Sequence, residues 1–261
     1  SELYKELLDG YQAGTPGVKM ETRLAIGETG RLITKQGDSI TFGGTSILVG
    51  ATGADGGYDQ TILISLGTES RVFGEETPTV GCCVAGEIDI EMLKPVGEIP
   101  KQARLVPYVR LTDGDRHSEW IQKGVFYLDT RQKKEDGSNI EKLVIHGYDA
   151  MLKMEQTYID DGEDVTGWPK PVPTVMAEIA ARIGVELDER NVLRDYLVEA
   201  PVGYTMREVA GWIAAAHCGN WTITDAGKLR LVCLAGPPVA ADYLVSEDGD
   251  AILFGDTKII V

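Results

Sequence analysis

The sequence predicts an α+β chain that is mainly β: an antiparallel barrel-like domain followed by a small ααββ domain. Three observations carry this. Short runs of β-branched and apolar residues alternate with polar ones through roughly the first 150 residues, the period of a half-buried strand. The 31 glycines are spread along the chain and punctuate those runs as turns. Near Tyr148 the period changes from two to that of a helix, with recognisable start and stop residues.

Residues 1–30 read as a short amphipathic helix and a loop. Leu3, Leu7 and Leu8 share one side, Gly10 ends the helix, and Gly14, Pro16 and Gly17 punctuate the loop. Strands begin after Leu32, with short candidates at 39–42 and 47–49. The Asp55-Gly56-Gly57 turn leads into a strand at 58–66, where Ile62 and Ile64 share a face and Leu63 falls out of phase. A polar loop holding Phe73, Gly74 and Pro78 fills 67–80. In 86–91, Ile88 and Ile90 oppose Glu87, Asp89 and Glu91. Residues 104–111 form the next strand, Asp113-Gly114-Asp115 turns the chain, and 119–129 returns with Trp120, Val125, Phe126 and Leu128. Gly124 marks a bulge or bend there. A polar loop at 133–139 leads to a strand at 142–147, giving two successive antiparallel hairpins.

Asp149 caps a short helix at 150–156, and a loop rich in Asp, Gly and Pro runs from 160 to 173. Thr174 caps a helix whose apolar face is Val175, Met176, Ile179, Ala180 and Ile183, with Gly184 as the C-terminal residue. Thr205 and Glu208 have the spacing of a capping box and open a helix through Val209, Trp212, Ile213 and Ala216, ended by Gly219. Strands at 221–224 and 228–233 flank Asp225-Ala226-Gly227, and Gly236-Pro237-Pro238 closes the unit. Strand character returns at 251–254 and 258–261. The expected division is a helix and loop at 1–30, the barrel-like domain at 31–148, the small α/β domain at 149–235, and at 236–261 a return to the barrel or the start of a truncated second one.

Composition excludes several classes of function. Asp and Glu number 41 against 25 Lys and Arg, a net charge of −16, which opposes binding to phosphate backbones or anionic lipid. No apolar run approaches the ~20 residues that span a bilayer. Glu2, Glu6 and Asp9 are incompatible with a secretory signal. Cys82 and Cys83 are adjacent, an arrangement in which a bridge strains the chain. Cys218 and Cys233 flank the last hairpin, where a bridge is geometrically conceivable. No CxxC pair is present, and buried free thiols are the expectation.

No constellation of reactive residues stands out. His117, His146 and His217 form no metal-binding pattern; each is assigned a structural role, His217 as a cation at a helix C-terminus. The acidic loops Asp113-Gly114-Asp115, Asp160-Asp161-Gly162-Glu163-Asp164 and Glu247-Asp248-Gly249-Asp250 offer oxygen ligands, but none has the twelve-residue calcium-loop spacing. Neither a GxSxG elbow nor a phosphate-binding Gly-rich loop occurs. Trp168, Trp212 and Trp221 are candidates for carbohydrate contact, with core packing expected for Trp212 and Trp221. No catalytic, cofactor-binding or metal-binding residue is therefore assigned, and the chain is not expected to be an enzyme.

One set of motifs, in one order, resembles a known family. The residues are Cys82-Cys83-Val84-Ala85-Gly86-Glu87-Ile88-Asp89-Ile90, then Pro107-Tyr108-Val109-Arg110-Leu111. Glu119-Trp120-Ile121-Gln122-Lys123-Gly124-Val125-Phe126-Tyr127-Leu128-Asp129 comes next, then Val144-Ile145-His146-Gly147-Tyr148-Asp149-Ala150-Met151-Leu152. Further on come Tyr204-Thr205-Met206-Arg207-Glu208, Trp212-Ile213-Ala214, Gly219-Asn220-Trp221 and Gly227-Lys228-Leu229-Arg230-Leu231. Together they resemble the phage and prophage tail baseplate hub family, which includes the N-terminal region of tail-associated lysins. The resemblance covers roughly residues 80–235.

It implies a virion structural protein at the tail tip, made in the bacterial cytoplasm. The implied assembly is a homotrimer that contacts the tail tube or distal tail protein, the tape-measure protein, and fibre or spike proteins. It implies two barrel-like domains per subunit, whereas one is readable before residue 235. DNA would pass through the lumen without specific binding, and an acidic lumen suits that passage, with Glu87, Asp89 and Glu91 as candidates. The alternative is a cell-wall-degrading or calcium-dependent carbohydrate-binding protein of the same tail tip.

Overall fold

The computed structural model describes residues 1–27, 57–74, 77–95, 99–134 and 141–234, with two-residue strand pieces inside 30–49 and at 253–254 and 257–258. Of the early strand candidates only the pairings Gly30–Arg31 with Leu48–Val49 and Thr41–Phe42 with Thr45–Ser46 are described. Asp55 and Gly56, the loop at 135–139, Gly236-Pro237-Pro238, the acidic loop at 247–250 and most of the tail lie outside the described residues.

Helix α1 (Glu2–Gln12) is capped by the Ser1 hydroxyl, which accepts the Tyr4 N–H. It runs through Gly10 rather than stopping there, because Leu7 is buried beneath the same turns and Gly14, at φ 69°, supplies the left-handed exit. The longer strands of the main sheet come after it: β1 (Val18–Gly27), β2 (Leu63–Glu69), β3 (Glu87–Leu93), β4 (Arg104–Asp113), β5 (Phe126–Lys134) and β6 (Lys142–Asp149). They pair antiparallel in the order β1-β4-β5-β6-β3-β2.

Strand β1 corrects the sequence reading, which made 11–30 a loop. It pairs with β4 from Val18↔Asp113 to Gly27↔Arg104. The sheet also corrects the barrel. Its path is open, and among the described residues no ladder joins β1 to β2. The segment before β2 touches β1 at an isolated bridge, Leu24–Tyr58, with both N···O distances 2.8 Å, and through Gln60 Nε2, which donates to the Met20 carbonyl at 3.0 Å.

Strand β3 has the expected alternation, with Ile88, Ile90 and Met92 buried against Leu24, Leu105, Phe126 and Ile145. A fully buried side chain of this size contributes about 1.5–3 kcal/mol, so this row anchors the first core. Strand β2 departs from the predicted facing at Leu63 and Ile64. An extra residue at Ile64 shifts the register between Leu63↔Met92 and Ser65↔Glu91, which buries Leu63 and leaves Ile64 half exposed. The expected strand at 119–129 is broken in two. Ile121–Gln122 pairs with Val109 and Tyr108, and β5 begins at Phe126. Gly124 makes the break at φ 122°, where a Cβ would lie 2.3 Å from the Phe126 ring.

After β6 the chain makes a short 3₁₀ helix (Ala150–Glu155), rather than an α-helix, with Asp149 as the predicted cap. Helix α2 (Val172–Ile183) starts at Pro171, two residues before Pro173, so Thr174 lies inside its first turn and is not the cap. Prolines are tolerated there because the first-turn N–H groups have no intrahelical partner. Gly184 ends α2 at φ 78° as expected. Helix α3 (Met206–Ala216) has both halves of the Thr205–Glu208 capping box. It ends at His217, and Cys218 (φ 51°), not Gly219, takes the left-handed turn. Gly219 instead opens β7 (Gly219–Ile223), where a Cβ would meet the Val232 carbonyl oxygen at 2.7 Å, and β8 (Leu229–Cys233) completes the hairpin. A second core, including Met151, Met154, Ile179, Val209, Ile213, Trp221 and Leu229, lies in this part. No described helix is long and apolar enough to cross a membrane.

Candidate functional site

The two cores meet at a junction made from residues 79–86, Asp149 and the β7 side of the hairpin. Residues 81–83 run beside β7 as an added strand. Gly81 N–H donates to the Gly219 carbonyl and Trp221 N–H to the Cys82 carbonyl, both at 2.9 Å, with a parallel bridge at Cys83↔Trp221. Asn220 is fully buried here and uses its whole amide. Its Oδ1 accepts the Cys82 N–H at 2.8 Å, and its Nδ2 donates to the carbonyls of Val72 at 2.9 Å and Thr79 at 2.7 Å. Helix α3 crosses this segment at two glycines: a Cβ on Gly211 would lie 2.8 Å from the Gly81 oxygen. Only glycine allows that approach.

Two ionic groups complete the junction. Arg207 donates to the carbonyls of Cys83 and Met151 and, at 2.5 Å, to Glu155, so one guanidinium ties α3 to the sheet entry and to the 3₁₀ helix. Asp149, 5% exposed, accepts the N–H groups of Gly86 at 2.7 Å and Met151 at 2.8 Å. Burial pushes its carboxyl up to about 6, against the pull of those two donors and of Arg207. Both oxygens are committed to backbone, so this carboxylate fixes the chain where sheet passes into helix. Burial likewise pushes the Cys83 thiol up to about 12, which makes it a poor nucleophile. Beside the junction a cleft of about 670 Å³ runs along β5; Lys101, Tyr127, Asp129, Arg131, Leu152 and Lys153 are among its lining residues.

The candidates read from sequence do not converge. His117 is exposed in a two-residue strand, and His146 pairs with Asp89 at 2.8 Å and packs edge-on against Tyr148. His217 accepts the Arg194 N–H at Nε2 and contacts the Ile213 carbonyl through Nδ1. This pairing belongs to the neutral imidazole and corrects its reading as a helix-terminal cation. Among the described residues, no group of three His, Cys, Asp or Glu side chains is placed to hold a metal ion. Asp113 pairs with Arg116, while Asp164 accepts from the Thr166 N–H and hydroxyl. Glu91 pairs with Lys134, and Asp89 is exposed.

The cysteines are free, but only Cys83 is buried; Cys218 and Cys233 are exposed at the hairpin ends, which corrects the expected burial. Trp221 is buried as expected, its Nε1 donating to the Ala210 carbonyl at 2.9 Å. Trp212 is 50% exposed, contrary to expectation, and packs edge-on against the exposed Tyr204 at 4.8 Å. It lies off the buried face formed by Val209, Ala210 and Ile213. Trp168 is partly buried against Tyr158 and Lys170, and the guanidinium groups of Arg23 and Arg110 lie over Trp120. Sequence reasoning placed Arg207 and Asn220 in the motifs but assigned them no role, and missed the Gly81–Gly211 contact. An Asn inside an apolar strand was the available signal for Asn220.

The fold and junction thus define a mainly antiparallel α+β protein whose buried polar groups hold its parts together. No protein-family model matches the sequence, and no curated protein matches it. Among solved structures, one similar to this chain is the 43 kDa tail protein of prophage MuSo2 from Shewanella oneidensis, at 13% identity and TM-score 0.49, covering 86% of this chain and 59% of that one. Another is the tail protein from Neisseria meningitidis MC58, at 14% identity and TM-score 0.41, covering 86% of this chain and 54% of that one. The chain therefore spans less than two thirds of the length of either.

Proposed function

We propose that this chain is a structural component of a phage-type tail tip, forming as a homotrimer the baseplate hub that joins tail tube to tip. One observation carries the reading: several of the residues that bear the family resemblance help to build the junction. Cys82, Cys83 and Gly86 enter β3, Asp149 and Met151 leave β6, and Arg207, Asn220 and Trp221 receive them. A catalytic site would gather reactive groups in a cleft, whereas these residues gather backbone ties. In this reading residues 31–148, together with strand β1, form the hub domain, 149–235 a side unit, and 236–261 a return to the hub domain or the start of a truncated second one. The neighbours are the tail tube or distal tail protein, the tape-measure protein and the fibre or spike proteins. Glu87, Asp89 and Glu91, on the β3 face opposite the core, suit a lumen that DNA crosses without sticking.

Light scattering at micromolar concentration tests the assembly. The expected mass is that of three chains; a single-chain mass at every concentration and salt contradicts a self-assembling hub. The exposed Tyr204–Trp212 pair favours one other reading, a cell-wall carbohydrate binder. Cosedimentation with purified peptidoglycan that is lost in Trp212→Ala, or release of soluble fragments from it, would put that reading first.

A further inference from the structure

We infer that the cleft along β5 is a docking groove for an acidic, extended segment of a partner protein, which adds to the sheet as a strand. The groove arises from the sheet geometry alone and is independent of the tail-tip assignment. Strand β5 pairs with β4 only at Phe126↔Leu105 and Tyr127↔Arg104, and the last backbone tie on that side is Leu128 N–H to the Ala103 carbonyl at 2.9 Å. Beyond it, past an irregularity at Asp129, β5 remains paired to β6 from Thr130↔His146 to Lys134↔Lys142. Among the described residues no backbone group of Asp129, Thr130, Arg131, Gln132, Lys133 or Lys134 is tied on the β4 side. An edge of this kind presents alternating N–H and C=O groups to an incoming strand.

The cleft of about 670 Å³ lies along this edge: five consecutive β5 residues, from Leu128 to Gln132, line it. A volume of this size is within the range of ligand-binding clefts. The 3₁₀ helix contributes to the lining the exposed Leu152 and the Lys153 ammonium, which lies 3.8 Å from the centre of the Tyr127 ring and uses one N–H on the Ile183 carbonyl. Lys101 and Arg131 add two more cations, and Arg131 uses one of its N–H groups on the Ile99 carbonyl. The carboxylates in the lining are Asp129 and Asp149, and both oxygens of Asp149 are taken by backbone N–H groups. In a chain with 41 acidic and 25 basic residues, this cleft reverses the local sign. The occupant that fits is therefore acidic, with an apolar residue to meet Leu152 and Tyr127, and extended so that its main chain completes the ladder.

The test uses the full chain and a fluorescent, end-blocked octapeptide, (Glu-Val)₄, as probe. Saturable binding is expected, about tenfold tighter than for (Lys-Val)₄ and about tenfold tighter than for (Glu-Val)₄ carrying N-methyl groups on alternate residues. Hydrogen exchange at amides of β5 beyond Leu128 should slow when the probe binds. Lys101→Glu, at an exposed position, should weaken binding at least about threefold while leaving the circular dichroism spectrum unchanged. Three results overturn the assignment. Equal affinity for the N-methylated probe would mean that charge alone is read, and no saturation below about 1 mM would mean that nothing docks. Protection of the same amides in an oligomer without probe would mean that the groove is filled by a second copy.

Discussion

Replacing Asn220 with alanine tests the junction directly. The substitution removes three hydrogen bonds at 2.7–2.9 Å and leaves the Cys82 N–H and the carbonyls of Val72 and Thr79 without their partner in a fully buried place. At about 1 kcal/mol for each lost bond the expected destabilisation is about 3 kcal/mol. That is a large share of the ~5–15 kcal/mol typical of a domain. Asn220→Asp should be worse at neutral pH, because it retains the acceptor for Cys82 but turns a carboxylate oxygen toward two carbonyls. Urea unfolding gives the free-energy difference, and limited proteolysis reads whether residues 72–82 come loose first. A loss under about 1 kcal/mol with an unchanged proteolytic pattern would refute the claim that this amide holds the segment.

Asp149 has a folded-state pKa of about 6, above its ordinary value of 3.8, so protonation favours the folded state. Its contribution is fully present below about pH 4 and is lost as pH rises through 6, a change of about 3 kcal/mol. Asp149→Asn should flatten that part of the stability–pH profile measured by urea unfolding; parallel profiles would contradict it. Gly211→Ala should destabilise by about 1–3 kcal/mol in thermal unfolding despite alanine's higher helix propensity, because the Cβ meets the Gly81 carbonyl. Trp221→Ala should cost about 3–5 kcal/mol and Trp212→Ala under about 1 kcal/mol in the same assay, the difference arising from burial of the first and half exposure of the second.

Much of the local structure was legible in the sequence, for reasons that the structure makes plain. Ile88 and Ile90 alternate with acids because one face of β3 is core and the other is not. Thr205 and Glu208 stand three apart because each satisfies the other's backbone N–H. Other features were hidden by local backbone events. One inserted residue at Ile64 put Leu63 inside and Ile64 outside, and a left-handed glycine at 124 split one strand into two. Strand β1 carried a period-two pattern, Val18, Met20, Leu24 and Ile26, but the glycines and proline just before it read as loop. The junction was the least legible part. Asn220 is explained by the Cys82 N–H and the carbonyls of Val72 and Thr79, 138, 148 and 141 residues away in sequence, and no local pattern announces such partners.

Immunogold labelling of intact tail particles from the cells that encode this chain, viewed by negative-stain electron microscopy, tests the structural role most directly. Gold confined to the distal end of the tail is the predicted result. Particles that carry no label, with the chain found only in the soluble fraction, would contradict it.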